Sequence, residues 1–158
     1  MKVKLIKIAL ILGLIIPVTS CQKTTQPDFS ALDEQINLWH KAATNTDADA
    51  YFGMMAPNSV FIGTDKTENW NKQTFESKYR PYFEAGKSWD FKPISRHWYS
   101  NRDGQLAWFD ETLDTWMGVC QASGVMEKQN DGRWMLKHYQ LSLAIDNDKM
   151  DKVMEVIR

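Results

Sequence analysis

The sequence predicts an α+β domain: a cone-shaped, strongly curved, mainly antiparallel sheet closed by about three N-terminal helices. Two observations carry this expectation. Between Gln105 and Ile145 three long runs, QLAWFDETLDTW, VCQASGVMEKQ and RWMLKHYQLSLAI, alternate side chains at period two and are separated by tight-turn signals. Strands of roughly ten to thirteen residues exceed the usual five or six, so their sheet twists strongly and curls. Upstream of Gly86 the apolar residues instead recur at spacings of three and four, which is the period of helices lying on a sheet.

Taken in order, Asp28 can cap a helix whose residues Phe29, Leu32, Ile36, Trp39 and Ala43 form one stripe. Asn45 and Thr46 break it. Asp47 can cap a short second helix holding Tyr51, Phe52, Met54 and Met55, stopped by Pro57-Asn58. Ser59 to Gly63 reads as a brief buried strand, and Thr64 to Asn69 as a polar loop leading to Trp70. Asn71 caps a third helix with Phe75, Tyr79, Tyr82 and Phe83 on one face, and Gly86 is its stop. Pro81 inside that pattern removes a backbone donor, which predicts a kink or restart near Arg80.

The period then changes. Trp89 to Ser100 is the first long strand, with Pro93 requiring an edge or a bulge. Asn101-Arg102-Asp103-Gly104, Met117-Gly118 and Asn130-Asp131-Gly132 mark hairpin turns, so four consecutive strands make an antiparallel meander. Trp89, Trp98, Trp108, Trp116 and Trp134 lie on it. Each buried ring removes about 150–250 Å² from water, roughly 4–6 kcal/mol gross, so the helices must cover at least one face. Met150 to Ile157 can add a final amphipathic turn or two.

The chain has 158 residues, 43% hydrophobic and 25% charged, which fits one globular domain with an appendage. The appendage is residues 1–20: Lys2, Lys4 and Lys7, an apolar run from Ile8 to Ile16, then Pro17 and small residues, the order of a secretory signal. Val18-Thr19-Ser20-Cys21 resembles the lipobox of bacterial lipoproteins. It implies acylation of Cys21, a tether over residues 21–27, the domain over 28–147 and a tail over 148–158. Acyl chains anchor a protein to a membrane without crossing it. Gln22 and Lys23 follow the cysteine with no aspartate beside it, which by resemblance to lipoprotein sorting implies the outer membrane, with the expected orientation facing the periplasm. Loss of the leader moves the net charge from −1 to −4. With no basic surplus or cluster, nucleic acid is not an expected partner. Cys120 is then the lone thiol and reads as a small buried apolar residue.

Short segments add a family resemblance. Phe61-Ile62-Gly63-Thr64-Asp65, Arg80-Pro81-Tyr82-Phe83, Ala107-Trp108-Phe109-Asp110-Glu111, Ser123-Gly124-Val125, Asp131-Gly132-Arg133-Trp134 and His138-Tyr139-Gln140-Leu141-Ser142 follow one another in this order. Over about residues 30–147 the chain thereby resembles the SnoaL-like branch of the nuclear transport factor 2-like (cystatin-like) fold, which includes ketosteroid isomerase homologues. Gln140 stands where that resemblance leads one to expect a histidine, so no role of such an imidazole carries over.

The resemblance implies a ligand in the cone. Trp108, Asp110, Thr112, Asp114 and Trp116 share one face of their strand, and Ala107, Phe109, Glu111, Leu113 and Thr115 the other. Candidate ligand contacts are Trp70, Tyr79, Trp108, Asp110, Trp116 and His138. Asp110 and Asp114 are the candidate catalytic acids, since an isomerase of this fold needs a carboxylate base in an apolar cavity. Cross-strand pairing with Arg96, Lys128 or Lys137 is the alternative role for both. His40, His97 and His138 lack metal-ligand spacing, and there is no glycine-rich phosphate loop, so neither metal nor cofactor is expected. The first expectation is a lipid-anchored, non-catalytic domain holding a small, mainly apolar molecule. The alternatives are an isomerase, dehydratase or cyclase, or a homodimer joined through the sheet.

Overall fold

A computed structural model describes residues 27–157; the leader, Cys21 and most of the tether lie outside them. Helices α1 (Phe29–Thr44) and α2 (Ala48–Gly53) come first, then strands β1 (Met55–Ile62) and β2 (Asn69–Asn71), then helix α3 (Lys72–Glu84). The meander β3 (Lys92–Ser100), β4 (Leu106–Thr115), β5 (Gly118–Lys128) and β6 (Trp134–Leu143) follows. A short 3-10 turn, Asn147–Lys149, leads into α4 (Met150–Ile157). The six strands form one curved sheet in the order β2-β1-β6-β5-β4-β3, antiparallel except where β1 runs parallel to β6.

The predicted caps are present. Asp28 accepts from Ser30 and Ala31 N–H, Asp47 from Ala50, and Asn71 from Thr74, so each side chain satisfies donors that the first helical turn leaves free. Leu32, Ile36, Trp39 and Ala43 of the α1 stripe are buried. Gly86, at φ 69°, follows the end of α3, and its N–H returns to the Phe83 carbonyl.

Four details depart from the sequence reading. The second helix stops at Gly53, and Met55 and Pro57 belong to β1. The parallel ladder to β6 is irregular between Met55 and Val60, so the donor missing at Pro57 is not needed there. Asn69–Asn71 is a three-residue strand paired with β1, too short and polar to show a period. Helix α3 runs on through Pro81 to Glu84 without a restart, because a proline in the final turn removes only one bond. The first long strand begins at Lys92. Pro93 sits as required, on an edge strand beside a register shift.

The helices cover the inner face of the sheet, where Trp39, Tyr51, Phe52, Phe75, Phe83, Phe109 and Tyr139 are almost fully buried. Tyr51 is the hub, stacked on Trp39 at 4.7 Å and edge-on to Phe52 and Trp89. Gly124 makes room for Phe109: a Cβ there would lie 2.4 Å from the ring. The expected open hollow is therefore largely filled by rings. Cys120 is fully buried, as read.

Candidate functional site

Of the two faces of β4, the inward one carries Ala107, Phe109, Glu111, Leu113 and Thr115, all buried. Glu111 is the acid inside. Its Oε1 accepts from the Tyr139 hydroxyl at 2.8 Å and from His40 Nε2 at 2.9 Å; since a carboxylate only accepts, that nitrogen carries the proton. Its Oε2 accepts from Arg96 Nε at 2.9 Å and Nη2 at 2.7 Å. Arg96 Nη1 reaches Asp33 at 2.8 Å and Asn37 at 2.9 Å on α1, and Trp98 Nε1 also donates to Asp33. Helix α1 and strands β3, β4 and β6 are thus tied to one carboxylate.

Burial pushes the Glu111 carboxyl upward, but His40, Arg96 and Tyr139 outweigh it and hold the group below its ordinary value of 4.5. A carboxylate so held is a poor proton acceptor. Burial, reinforced by Glu111, pushes the Tyr139 phenol well above its ordinary value, so it stays a donor.

A space walled mainly by aromatic rings lies at the mouth of the cone. A cavity of about 180 Å³ is bounded by Phe61, Phe75, Tyr79, Trp89, Phe91 and Trp116, with Thr64 and Glu68 as its polar members. A neighbouring cleft of about 390 Å³ shares Trp89 and Trp116 and adds Asp90, Lys92 and Asp114. Three segments place these groups. Helix α3 presents Phe75 and Tyr79 one turn apart. The 63–68 loop is closed by Gly63 N–H to the Glu68 carbonyl at 3.1 Å and by Asp65 accepting from Thr67 N–H at 2.8 Å. In the β4–β5 turn, Thr115 Oγ1 accepts from Met117 N–H and donates to the Gly118 carbonyl, leaving Trp116 82% exposed over the mouth. Gly118, at φ 99°, is the residue that this turn needs.

Glu68 is the charged group in the smaller cavity. Its Oε1 accepts from the Tyr79 hydroxyl at 3.1 Å, and its Oε2 from Asp65 N–H at 3.4 Å. Burial and Glu68 push the Tyr79 phenol up to about 12, so Tyr79 remains the donor of that pair.

The structure brings Tyr79 and Trp116 together at the mouth, with Asp114 on the adjoining rim. The other predicted contacts lie elsewhere. Trp108 and Asp110 are exposed on the outer sheet face, where Trp108 stacks on Tyr99 and Asp110 pairs with His97 at 2.9 Å. His138 is opposite Val125 on the same outer side. Asp110 is thus on the wrong side of the sheet for a base in the cone, and Asp114 is exposed at its edge. Trp70 does not line the mouth: its ring lies under Lys78 Nζ at 4.2 Å. Its Nε1 is buried without a hydrogen-bond partner among the described residues. Sequence reasoning missed Glu111, Arg96 and His40 as one group, and Glu68 altogether. A signal existed for the first: Glu111 is the one acid on the more apolar face of its strand.

The SnoaL-like domain family matches residues 32–146. The chain belongs to that family. Similar solved structures agree on the fold of this SnoaL-like protein. A cystatin-like domain from Nostoc punctiforme is 14% identical, covering 84% of this chain and 86% of that one, at TM-score 0.65. A nuclear transport factor 2-like protein from Pseudomonas putida is 16% identical over 76% and 89%, at TM-score 0.62. A candidate ketosteroid isomerase from Shewanella frigidimarina is 16% identical over 71% and 94%, at TM-score 0.59. No curated protein matches in sequence.

The Glu111 network predicts a stability cost with a pH signature. Glu111→Gln leaves the Arg96 guanidinium buried with Asp33 as its remaining carboxylate, and should cost about 3 kcal/mol in urea unfolding at neutral pH. The folded pKa of Glu111 lies below its unfolded value, so its contribution is present above pH 4.5 and drains as the pH falls below that. The variant should lack that part of the acid-side slope; equal slopes in both proteins would refute the assignment.

Proposed function

We propose that this SnoaL-like domain binds a small, mainly apolar molecule at the mouth of its cone and performs no chemistry with its buried charges. The observation that carries this reading is the ring-bounded cavity of about 180 Å³, large enough for a single-ring body. Pockets of this type join apolar walls to a few polar groups that fix orientation; here Glu68, Tyr79 and Thr64 have that position. An isomerase reading has less support, since the acid inside is held ionised by four donors and the acids first expected as bases face outward or sit on the rim. The Shewanella relative's designation does not transfer its activity, because fold likeness alone is a weak warrant for chemistry.

We further propose that the domain is held by a lipid on Cys21 at the outer membrane, facing the periplasm, where apolar molecules partition from the bilayer. The charge, spacing and small residues of positions 1–21 support this. A second reading, pairing of two copies through the sheet, is favoured by the stacked Tyr99 and Trp108 and by exposed Val119 and Leu143. They surround a groove of Thr112, Gln121, Ser123, Gln140 and Ser142 whose exposed carboxylate, Asp110, is already paired with His97, and such a surface can meet its own copy.

Trp116 is mostly exposed, so Trp116→Ala should leave stability within about 0.5 kcal/mol. The same change should weaken binding of single-ring hydrophobic probes about tenfold or more, read by thermal shift and calorimetry. Probes that fail to bind the wild-type chain, or bind the variant equally, count against the mouth. Cys21→Ser should move the protein from the membrane to the soluble fraction of cells; an unchanged distribution removes the anchor. Light scattering should give a dimer that Trp108→Glu dissociates, and a monomer for the wild type at high concentration ends that reading.

A further inference from the structure

The charges around the mouth are one-sided. Glu68, Asp90 and Asp114 are its carboxylates, and Lys92 its one ammonium, already 3.5 Å from Asp90. Lys78, held over the Trp70 ring at 4.2 Å and 5.4 Å from the Tyr79 ring, lines neither cavity, and nor does Lys66 of the 63–68 loop. Six aromatic rings make up most of the remaining wall. Aromatic faces carry the negative end of their quadrupole and attract cations. A neutral hydrocarbon seated there would strip water from Glu68 and give nothing in return, a neutral donor would return one hydrogen bond, and an anion would be repelled; an organic cation replaces the lost hydration with opposite charge. A metal ion fits poorly, since no group of three metal-ligating side chains occurs among the described residues.

The carboxylate is also held in place by the fold. Glu68 lies against Gly63, where an added Cβ would sit 2.1 Å from Oε2 and 2.9 Å from Cδ. The glycine supplies the room in which the carboxylate folds back, and Tyr79 holds its other oxygen. Phe75 and Tyr79 are 5.0 Å apart between ring centroids, and Tyr79 meets Trp89 edge-on at 5.7 Å, so rings at different angles surround one small volume.

We propose that the ligand of the mouth is a small organic cation, a quaternary or protonated amine on an apolar body, selected by Glu68 together with the ring wall. This rests on the mouth being the ligand site and adds the class of molecule that it prefers. The carboxylate provides the charge preference, and the rings provide most of the contact.

A pair of isosteres tests it. Phenyltrimethylammonium and tert-butylbenzene share a shape and differ by one charge, and quenching of tryptophan fluorescence in the full chain reads both. The cation should bind about tenfold more tightly than the hydrocarbon. Glu68→Gln, which keeps the shape, should bring the two affinities together by weakening the cation alone. Gly63→Ala should do the same by displacing the carboxylate while leaving the number of charges unchanged. Equal affinities in the wild type, with both lost in Trp116→Ala, would overturn the preference and leave the mouth as an apolar site. Binding of neither probe would overturn the preference and the mouth reading together.

Discussion

One carboxylate sets the geometry of this domain. Glu111 has no exposed side-chain surface, and an unpaired charge so placed would cost several kcal/mol. Four donors from three elements remove that penalty: His40 from α1, Arg96 from β3 and Tyr139 from β6. The condition is strict about register. A one-residue slip of β4 against its neighbours would turn Glu111 outward and bring Asp110 or Thr112 into the core. Thr112 in that place would leave Arg96 facing no strand carboxylate, and Asp110 would offer one a methylene shorter. The network therefore selects one pairing of β3, β4 and β6, and one seat for α1, from many that would bury similar apolar area.

The same network explains why the interior is a poor place for proton transfer, and the ring packing explains why the open space lies at the rim. Below the mouth, Phe61 and Phe75 stack at 4.1 Å and Tyr51 joins Trp39, Phe83 and Trp89. Rings and donors packed this way leave the Glu111 side chain no exposed surface for a substrate to touch. The enclosed space that remains begins where helix α3, the 63–68 loop and the β4–β5 turn meet. The loop and the turn are connecting parts of the fold, free to vary while the sheet stays fixed, whereas α3 is anchored through its buried Phe75 and Phe83. In this SnoaL-like chain the arrangement keeps the ionic bonds deep in the cone apart from the open space at its edge.

The sequence made the scaffold legible where chemistry is local. Caps at Asp28, Asp47 and Asn71, the α1 stripe, the three hairpin turns and the edge position of Pro93 each follow from a residue and its immediate neighbours, and all are found. Alternation also divided β4 into two faces correctly. It did not say which face meets the helices, because each carries rings and acids; the candidates Asp110 and Asp114 belong to the other face, and it is Glu111 on which Arg96, His40 and Tyr139 converge. Those partners come from positions far apart in the chain, and no local pattern announces them. Glu68 was hidden for the same reason, since its value depends on the room left at Gly63 and on Tyr79 arriving from α3. Trp70 drew attention as a large ring in a polar loop, yet a lysine one helix later covers it.

The topology has a consequence for the birth of the molecule. Strand β1 is made early, but its partner along one side is β6, the last strand of the sheet, with Met55 opposite Leu136 and Phe61 opposite Tyr139. The central carboxylate likewise obtains its phenolic donor only from β6. Until the ribosome has released almost the whole domain, α1 and β1 have no finished surface to settle on. Such late, long-range closure makes for slow acquisition of structure. A polypeptide that stays extended during synthesis is also one that a narrow channel in a membrane can thread before it locks.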